Sequence, residues 1–196
     1  MRIVSVVVVI CCLVSLSACQ TTEGSGGDID WGGSNRESLV ILSEPLKARL
    51  EGLERKMGTT RNKWVESLTW NGGKASVHKL FDGWYFRGNW NDPADAVRQA
   101  RHWMRSAKDP VTFNESDVKR TNTKFSSVLY VHGLSESGKN RCWSGVSRFG
   151  VLMEGGAVDN PTGLMSFISC GSATDRSLQE SEQELVSFLG QIWLRP

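Results

Sequence analysis

Residues 63–90 read KWVESLTWNGGKASVHKLFDGWYFRGNW and predict three consecutive β-strands. Three β-prone runs are separated by Gly72-Gly73 and by Asp82-Gly83, and both dipeptides are hairpin turn signals. A segment of this kind folds as an antiparallel meander, in which each strand pairs with the one before it. The predicted strands cover residues 63–70, 74–81 and 84–90.

The meander is expected to have one apolar face, because successive side chains of a strand point to opposite sides. Glu66 interrupts this face near Lys79, and we expect the two to form a cross-strand ion pair. The face that we predict to be buried carries Trp64, Leu68, Trp70, Ala75, Val77, Phe81, Trp84, Phe86 and Trp90. The opposite, more polar face carries Ser67, Thr69, Ser76, His78, Arg87 and Asn89, with Val65, Leu80 and Tyr85 among them.

The N-terminus has the pattern of an export signal. Arg2 precedes an apolar run, residues 3–14, which is too short to span a bilayer as a finished helix and is typical of a secretory signal peptide. The run leads to Leu16-Ser17-Ala18-Cys19, which resembles the lipobox of bacterial lipoprotein precursors. The alternatives are an ordinary signal peptide and an uncleaved anchor.

The resemblance covers only residues 1–20 and implies three things. Residues 1–18 are a signal peptide that is removed, the Cys19 thiol is lipidated, and several acyl chains, palmitate among them, then form a stable membrane anchor. Gln20 stands where aspartate favours inner-membrane retention in enterobacterial lipoproteins. The resemblance therefore implies an outer-membrane protein that faces the periplasm.

The rest of the chain divides into a tether and one domain. Residues 19–35 hold the lipidated cysteine and a glycine-rich flexible segment, whose root-mean-square span is roughly 20 Å by the flexible-chain rule. Residues 36–196 are long enough for a single domain with one core. The formal net charge of +2 gives no electrostatic footprint for nucleic acid.

Two cysteines remain in the predicted domain, Cys142 and Cys170. They lie in two β-prone runs, residues 141–153 and 163–170, on either side of a Gly155-Gly156 turn signal. A hairpin centred on that turn places the two cysteines directly opposite each other, and an oxidising compartment favours a disulfide between them. A metal site is the alternative, but two thiols without a nearby His pair do not provide the ligands, so we predict no metal.

Three helices are predicted around these strands. The first begins at Pro45, with Ser43 as cap, and extends to Gly58 on the spacing of Leu46, Leu50, Leu53 and Met57; the second covers residues 93–107; the last is capped by Ser177 and Glu180. A further strand is predicted from Phe125 to His132. The predicted fold is α+β, a mostly antiparallel sheet built from hairpins and a meander, with three flanking helices and one disulfide.

No complete catalytic set is evident in the sequence. Residues 133–140 match the spacing of a phosphate-binding loop, but Asn140 replaces the required hydroxyl and no helix follows, so a hairpin loop is predicted. His132, Ser135 and Glu136 are the one local grouping of base, hydroxyl and acid. An α/β-hydrolase is excluded because no histidine follows His132.

We therefore expect a lipid-anchored cell-envelope protein whose domain binds or scaffolds another envelope component, without enzymatic activity or cofactor. The partners expected are the membrane, through acyl chains on Cys19, and an envelope protein or glycan. One alternative is a glycan-binding module, which requires exposed tryptophan rings, and another is a small envelope hydrolase that uses His132, Ser135 and Glu136. A basic patch is also possible, formed by Arg87, Arg98, Arg101 and Arg105.

Overall fold

The computed structural model of the chain describes residues 28–32, 37–81, 92–150 and 162–195. The predicted signal peptide, Cys19 and most of the tether lie outside these residues, as do the predicted strand at 84–90 and the Gly155-Gly156 turn.

Most of the described chain forms one antiparallel sheet of nine strands. The strands, in chain order and with the two of a small second sheet included, are β1 (Asp30–Trp31), β2 (Val40–Leu42), β3 (Glu54–Thr59), β4 (Lys63–Trp70), β5 (Gly73–Leu80), β6 (Val111–Phe113), β7 (Lys119–Asn122), β8 (Ser127–Ser135), β9 (Asn140–Phe149), β10 (Gly163–Ser172) and β11 (Ile192–Leu194). The large sheet has the order β1-β3-β4-β5-β10-β9-β8-β6, with β7 also paired to β8, while β2 and β11 form the small sheet.

Three helices are present in the described residues: α1 (Glu44–Arg49), α2 (Pro93–Met104) and α3 (Leu178–Gly190). The sheet-rich α+β class, the antiparallel pairing and the presence of a disulfide agree with the prediction. Strands β1, β2, β6, β7 and β11 were not predicted, because each is very short or pairs with a distant part of the chain. Among the described helices, none combines the length and apolar character needed to cross a bilayer.

The β4–β5 hairpin is confirmed, with Trp70 opposite Gly73 and the Asn71-Gly72 pair at the turn. Gly72 has a positive φ of 84°, which a glycine adopts at little cost. The predicted third strand lies outside the described residues, but the edge of β5 that it was expected to take is occupied by β10, from Lys79 opposite Gly163 to Gly73 opposite Ser169. The expected pairing of β5 with residues 84–90 is therefore wrong.

The first predicted helix is also shorter than expected. Ser43 caps it as predicted, since its side chain accepts from the Leu46 backbone N–H, but the helix ends at Arg49 and Gly52 follows with φ of 66°. Residues up to Gly58 instead form β3, which pairs along β4. The leucine and methionine spacing was misleading because Met57 reaches the core face from a strand.

The other two helices begin as predicted. Asp92 caps α2, and Ser177 with Glu180 forms a capping box at the start of α3. Helix α2 ends at Met104, earlier than predicted, and α3 ends at Gly190, just before β11.

The sheet has a buried cluster on each face. On one face, α2 packs over a cluster that contains Val97, Ala100, Phe113, Val131, Cys142 and Ile168. On the other face, α1 and α3 contribute to the larger cluster, whose members include Leu46, Leu185 and Leu189 together with Leu68, Val77, Trp143 and Phe167 of the sheet. The predicted burial of the apolar β4–β5 face is confirmed for Leu68, Ala75 and Val77, whereas Trp64, Trp70 and Phe81 are half-buried.

Glu66 is buried on that face but does not pair with Lys79, as was expected. Its cross-strand neighbour is Val77, and its carboxylate accepts from the Arg55 Nε at 3.2 Å. Lys79 lies opposite Trp64, with its ammonium 5.7 Å from the centre of the indole ring. The ion-pair prediction is wrong because the hairpin turns at Asn71-Gly72 rather than at Gly72-Gly73, which moves Lys79 two residues away from the position opposite Glu66.

The β9–β10 hairpin has the predicted register. Cys142 lies directly opposite Cys170, and a disulfide joins them across a Cα–Cα distance of 4.0 Å. The Cys142 side is buried against α2, so the bond belongs to the core on that face.

Candidate binding cavity

A cavity of about 350 Å³ lies on the side of the sheet that faces α1 and α3, near the disulfide end of β9 and β10. Its floor comes from the ends of β4, β9 and β10, and its walls come from the two helices and the loop before α3. Volumes of roughly 300–1,000 Å³ are usual for small-ligand sites, so this one has room for a compact molecule.

Strand alternation decides which side chains line the floor. Arg141 and Trp143 are two residues apart on β9 and therefore share a face. Across the ladder, Trp143 is opposite Ser169 and Arg141 is opposite Gly171. Gly171 leaves room beside Arg141, because a Cβ built there meets no other atom within 4 Å.

Three aromatic side chains form the apolar part of the lining: Trp70, Trp143 and Phe188. The Trp70 and Phe188 rings are 5.9 Å apart and tilted by 38°. The Trp143 ring packs on Tyr130 and His132, with centroid distances of 5.9 and 5.3 Å. These contacts hold the rings in place from behind.

Three arginines and two acidic residues line the same cavity, and most of these charges are satisfied. Glu184 accepts from Arg49 at 2.7 Å and also pairs with Arg176. The Asp175 carboxylate accepts hydrogen bonds from the hydroxyls of Ser172, at 2.8 Å, and Thr174, at 3.3 Å.

Arg141 is the exception among these charges. One terminal nitrogen donates to the Arg176 carbonyl at 2.9 Å, but the Nε is buried and has no acceptor. In the part of the chain that the structure describes, no carboxylate lies within ion-pair distance of this guanidinium. Its charge is therefore left without a counter-charge.

Trp143 carries a second unsatisfied donor. The residue is only 6% exposed, and its indole N–H reaches no acceptor among the described residues. A buried N–H without a partner costs free energy. Among the described residues such donors also occur away from the cavity, at Trp103 and Arg195, but Arg141 and Trp143 are the two that belong to residues of its lining.

The predicted trio of His132, Ser135 and Glu136 is not brought together. His132 packs against Trp143, whereas Ser135, three positions further along β8, lies on the opposite face because side chains alternate along a strand. The Ser135 hydroxyl instead accepts from the Asn140 backbone N–H at 3.1 Å, and Glu136 is exposed. This arrangement provides no nucleophile activated by a base.

Within the predicted loop at 133–140, residues 136–139 form the turn of the β8–β9 hairpin, and the flanking residues belong to the two strands. Asp109 accepts from the Ser137 hydroxyl at 2.7 Å and from the Asn140 amide at 3.3 Å. Hydrogen bonds from Ser137 and then Ser135 lower the pKa of Asp109 to about 2, from an ordinary 3.8. The Asp109 carboxylate therefore holds the turn between β8 and β9 in place.

The predicted basic patch and the row of exposed tryptophans required for glycan binding are only partly present in the described residues. Arg98, Arg101 and Arg105 are exposed on α2 as predicted, but Arg98 pairs with Asp95 and Arg101 donates to the Phe113 carbonyl at 3.4 Å. Arg87 lies outside the described residues. Trp31 and Trp193 are the tryptophans with exposed rings in the described chain, and they lie on different sheets rather than in one row.

The cavity residues were not singled out by the sequence. Arg141 and Trp143 flank Cys142, and their i, i+2 spacing on a strand was a usable signal that both would face away from the disulfide. The described residues hold no group of three or more His, Cys, Asp or Glu side chains that could bind a metal ion. Comparison with protein-family models, curated proteins and solved structures gives no match for this chain.

Proposed function

We propose that this chain is a lipid-anchored envelope protein that works by binding a small ligand in the cavity beneath α1 and α3, without catalysing a reaction. The anchor rests on the lipobox-like sequence at Leu16–Cys19, and the compartment is consistent with the Cys142–Cys170 disulfide, since such bonds persist in oxidising environments. An outer-membrane location facing the periplasm is part of the same proposal.

The observation that carries the binding role is the pair of unsatisfied donors on an aromatic-lined floor. Arg141 Nε and Trp143 Nε1 are both buried and both lack acceptors, in a cavity large enough for a compact molecule. Binding is favoured over hydrolysis because the candidate base, His132, packs behind Trp143 and has no hydroxyl partner from the predicted trio.

The anchor is tested by metabolic labelling with palmitate. We expect the wild-type chain to incorporate label and the Cys19→Ala variant to lose it. Cys12→Ala is the matched control, since Cys12 lies in the predicted signal peptide and should leave labelling intact. Label that persists in Cys19→Ala would overturn the anchor.

The cavity is tested by filling it. Gly171 and Gly190 both have open space around a built Cβ, but Gly171 lines the cavity and Gly190 ends α3 away from it. We expect the full-length Gly171→Leu variant to lose binding of naphthalene probes and Gly190→Leu to retain it. Suitable probes are 2-naphthoate, 2-naphthylmethanol and 2-naphthylmethylammonium, which share one ring system and differ in charge.

Binding of any one of these probes that depends on residue 171 supports the binding function. If the wild type binds none of them, or if Gly171→Leu binds as well as Gly190→Leu, the cavity is not a binding site. Thermal unfolding of both variants verifies that each is folded before the comparison is made.

A further inference from the structure

We infer that the cavity selects a small organic monoanion: a carboxylate attached to a flat, ring-shaped body, with the carboxylate at Arg141 and the ring against Trp143. This inference rests on the proposed binding function and adds the chemical class of the ligand.

The charge of the ligand follows from the ion pairs around the cavity. Three arginines and two carboxylates line the cavity, so the lining carries one positive charge in excess; Glu184 pairs with both Arg49 and Arg176, and Asp175 accepts from two hydroxyls. Arg141 is the arginine of this lining that has no carboxylate within ion-pair distance, and its Nε is buried. A cationic ligand would meet this charge without compensation, whereas an anion would neutralise it.

The number of negative charges on the ligand follows from the same comparison of charged side chains in the lining. A carboxylate carries one negative charge and matches one free guanidinium. A phosphate monoester is largely dianionic near neutral pH, and its second charge would be desolvated beside aromatic rings without a free cation to pair with. The structure therefore favours a carboxylate over a phosphate.

The positions of the donors fit the same ligand. Arg141 and Trp143 are two residues apart on β9, which places their Cα atoms roughly 7 Å apart on one face of the sheet. A guanidinium donates to a carboxylate through two parallel N–H groups, and the indole N–H can donate to a further oxygen on the body of the ligand. Trp143 is held by its packing on Tyr130 and His132, so this donor is fixed in advance.

The shape of the ligand follows from the walls. Trp70 and Phe188 lie close together at one side, and Trp143 lies on the floor. Flat rings bind to such surfaces by stacking and edge-on contacts, which long flexible chains do not exploit. With a volume of about 350 Å³, the cavity takes one or two fused rings and not a polymer.

The test compares ligand charge and Arg141 in the same experiment. The full-length protein is used, in phosphatidylcholine nanodiscs if it carries lipid and in aqueous buffer if it does not. Probes are 2-naphthoate, 2-naphthyl phosphate, 2-naphthylmethanol and 2-naphthylmethylammonium, with affinity read from the shift of the Trp143 indole N–H signal, assigned through Trp143→Phe. We expect naphthoate to bind at least tenfold more tightly than each of the other three.

Arg141→Gln should weaken naphthoate binding at least tenfold and leave naphthylmethanol binding nearly unchanged. Arg148→Gln is the matched control, because Arg148 lies on the same strand outside the cavity lining. Tighter binding of the alcohol, the amine or the phosphate would overturn the inferred class while leaving the binding function in place. Equal loss in both arginine variants would overturn the role of Arg141, and failure of every probe would overturn the binding function itself.

Discussion

The Arg55 guanidinium donates through Nε to the buried carboxylate of Glu66 at 3.2 Å, and the two residues come from neighbouring strands, β3 and β4. The same carboxylate accepts the backbone N–H groups of Leu39, at 2.6 Å, and Val40, at 3.2 Å, and the Ser38 hydroxyl at 2.7 Å. Glu66 is only 1% exposed, so one side chain fastens the segment that leads into β2 onto the large sheet.

Replacement of Glu66 by leucine should be strongly destabilising. It leaves two backbone N–H groups and the Arg55 charge without their acceptor, and loss of one partner of a buried pair costs roughly 3–5 kcal/mol. Glu54→Leu, at an exposed position on β3, should change the free energy of unfolding by no more than about 0.5 kcal/mol. Urea unfolding measures both, and similar values for the two variants would contradict the anchoring role of Glu66.

The disulfide should contribute roughly 3.5 kcal/mol to stability, because it closes a loop over a sequence separation of 28 residues. We expect the Cys142→Ala, Cys170→Ala double variant to unfold at a correspondingly lower urea concentration. A reducing agent should destabilise the wild type by a similar amount and leave the double variant unaffected. If reduction does not change wild-type unfolding, the disulfide is absent from the folded protein.

His78 should make stability depend on pH in mildly acidic solution. Burial, and secondarily the Lys63 charge, lower the pKa of His78 from 6.5 to about 4. Between these values the unfolded chain binds a proton that the folded chain excludes, so stability is lost as the pH falls from 6.5 to 4. The loss attributable to this group is on the order of 3 kcal/mol.

The measurement is urea unfolding at pH values across that interval. His78→Gln should show a shallower pH dependence than the wild type, whereas His102→Gln, at an exposed position on α2, should follow the wild type. Parallel curves for all three proteins would show that His78 does not titrate differently in the folded state.

Gly145 should not tolerate a side chain. A Cβ at this position would lie 2.6 Å from the Phe167 ring and 2.8 Å from the Leu129 carbonyl oxygen, in a buried part of β9. We expect Gly145→Ala to cost about 1–3 kcal/mol through overpacking. Gly171→Ala, where the space is open, should be neutral within about 0.5 kcal/mol. Chemical denaturation measures the free energy of unfolding of both variants. Equal stabilities for Gly145→Ala and Gly171→Ala would refute the packing argument.

The parts of the fold that the sequence predicted well depend on local signals. The β4–β5 hairpin follows from alternating side chains around a glycine turn, and the Cys142–Cys170 register was predicted from the symmetric placement of the two cysteines about the Gly155-Gly156 dipeptide. The capping box at Ser177 and Glu180 is likewise a local signal, because its two residues lie within four positions of the chain. In each case the residues that determine the structure are close in sequence or symmetric about one turn.

The parts that were missed depend on distant contacts. The pairing of β5 with β10 joins residues 73–79 to residues 163–169, and no local pattern specifies which strand takes that edge. The helix predicted up to Gly58 became β3 because the free edge of β4 offered backbone partners. The cavity needs α1, α3 and three strand ends together, so Arg141 and Trp143 acquire their role only in the folded chain.

The central position of β10 has a consequence for how the protein is made. This strand joins the hairpin of β4 and β5 to the group of strands around β9, and it lies near the C-terminal end of the chain. A polypeptide that emerges from its N-terminus therefore exposes two unsatisfied strand edges until residues 163–169 arrive. The late insertion of β10 joins the two groups of strands, so a chain truncated before this strand should keep two separate groups with aggregation-prone edges rather than form a smaller folded domain.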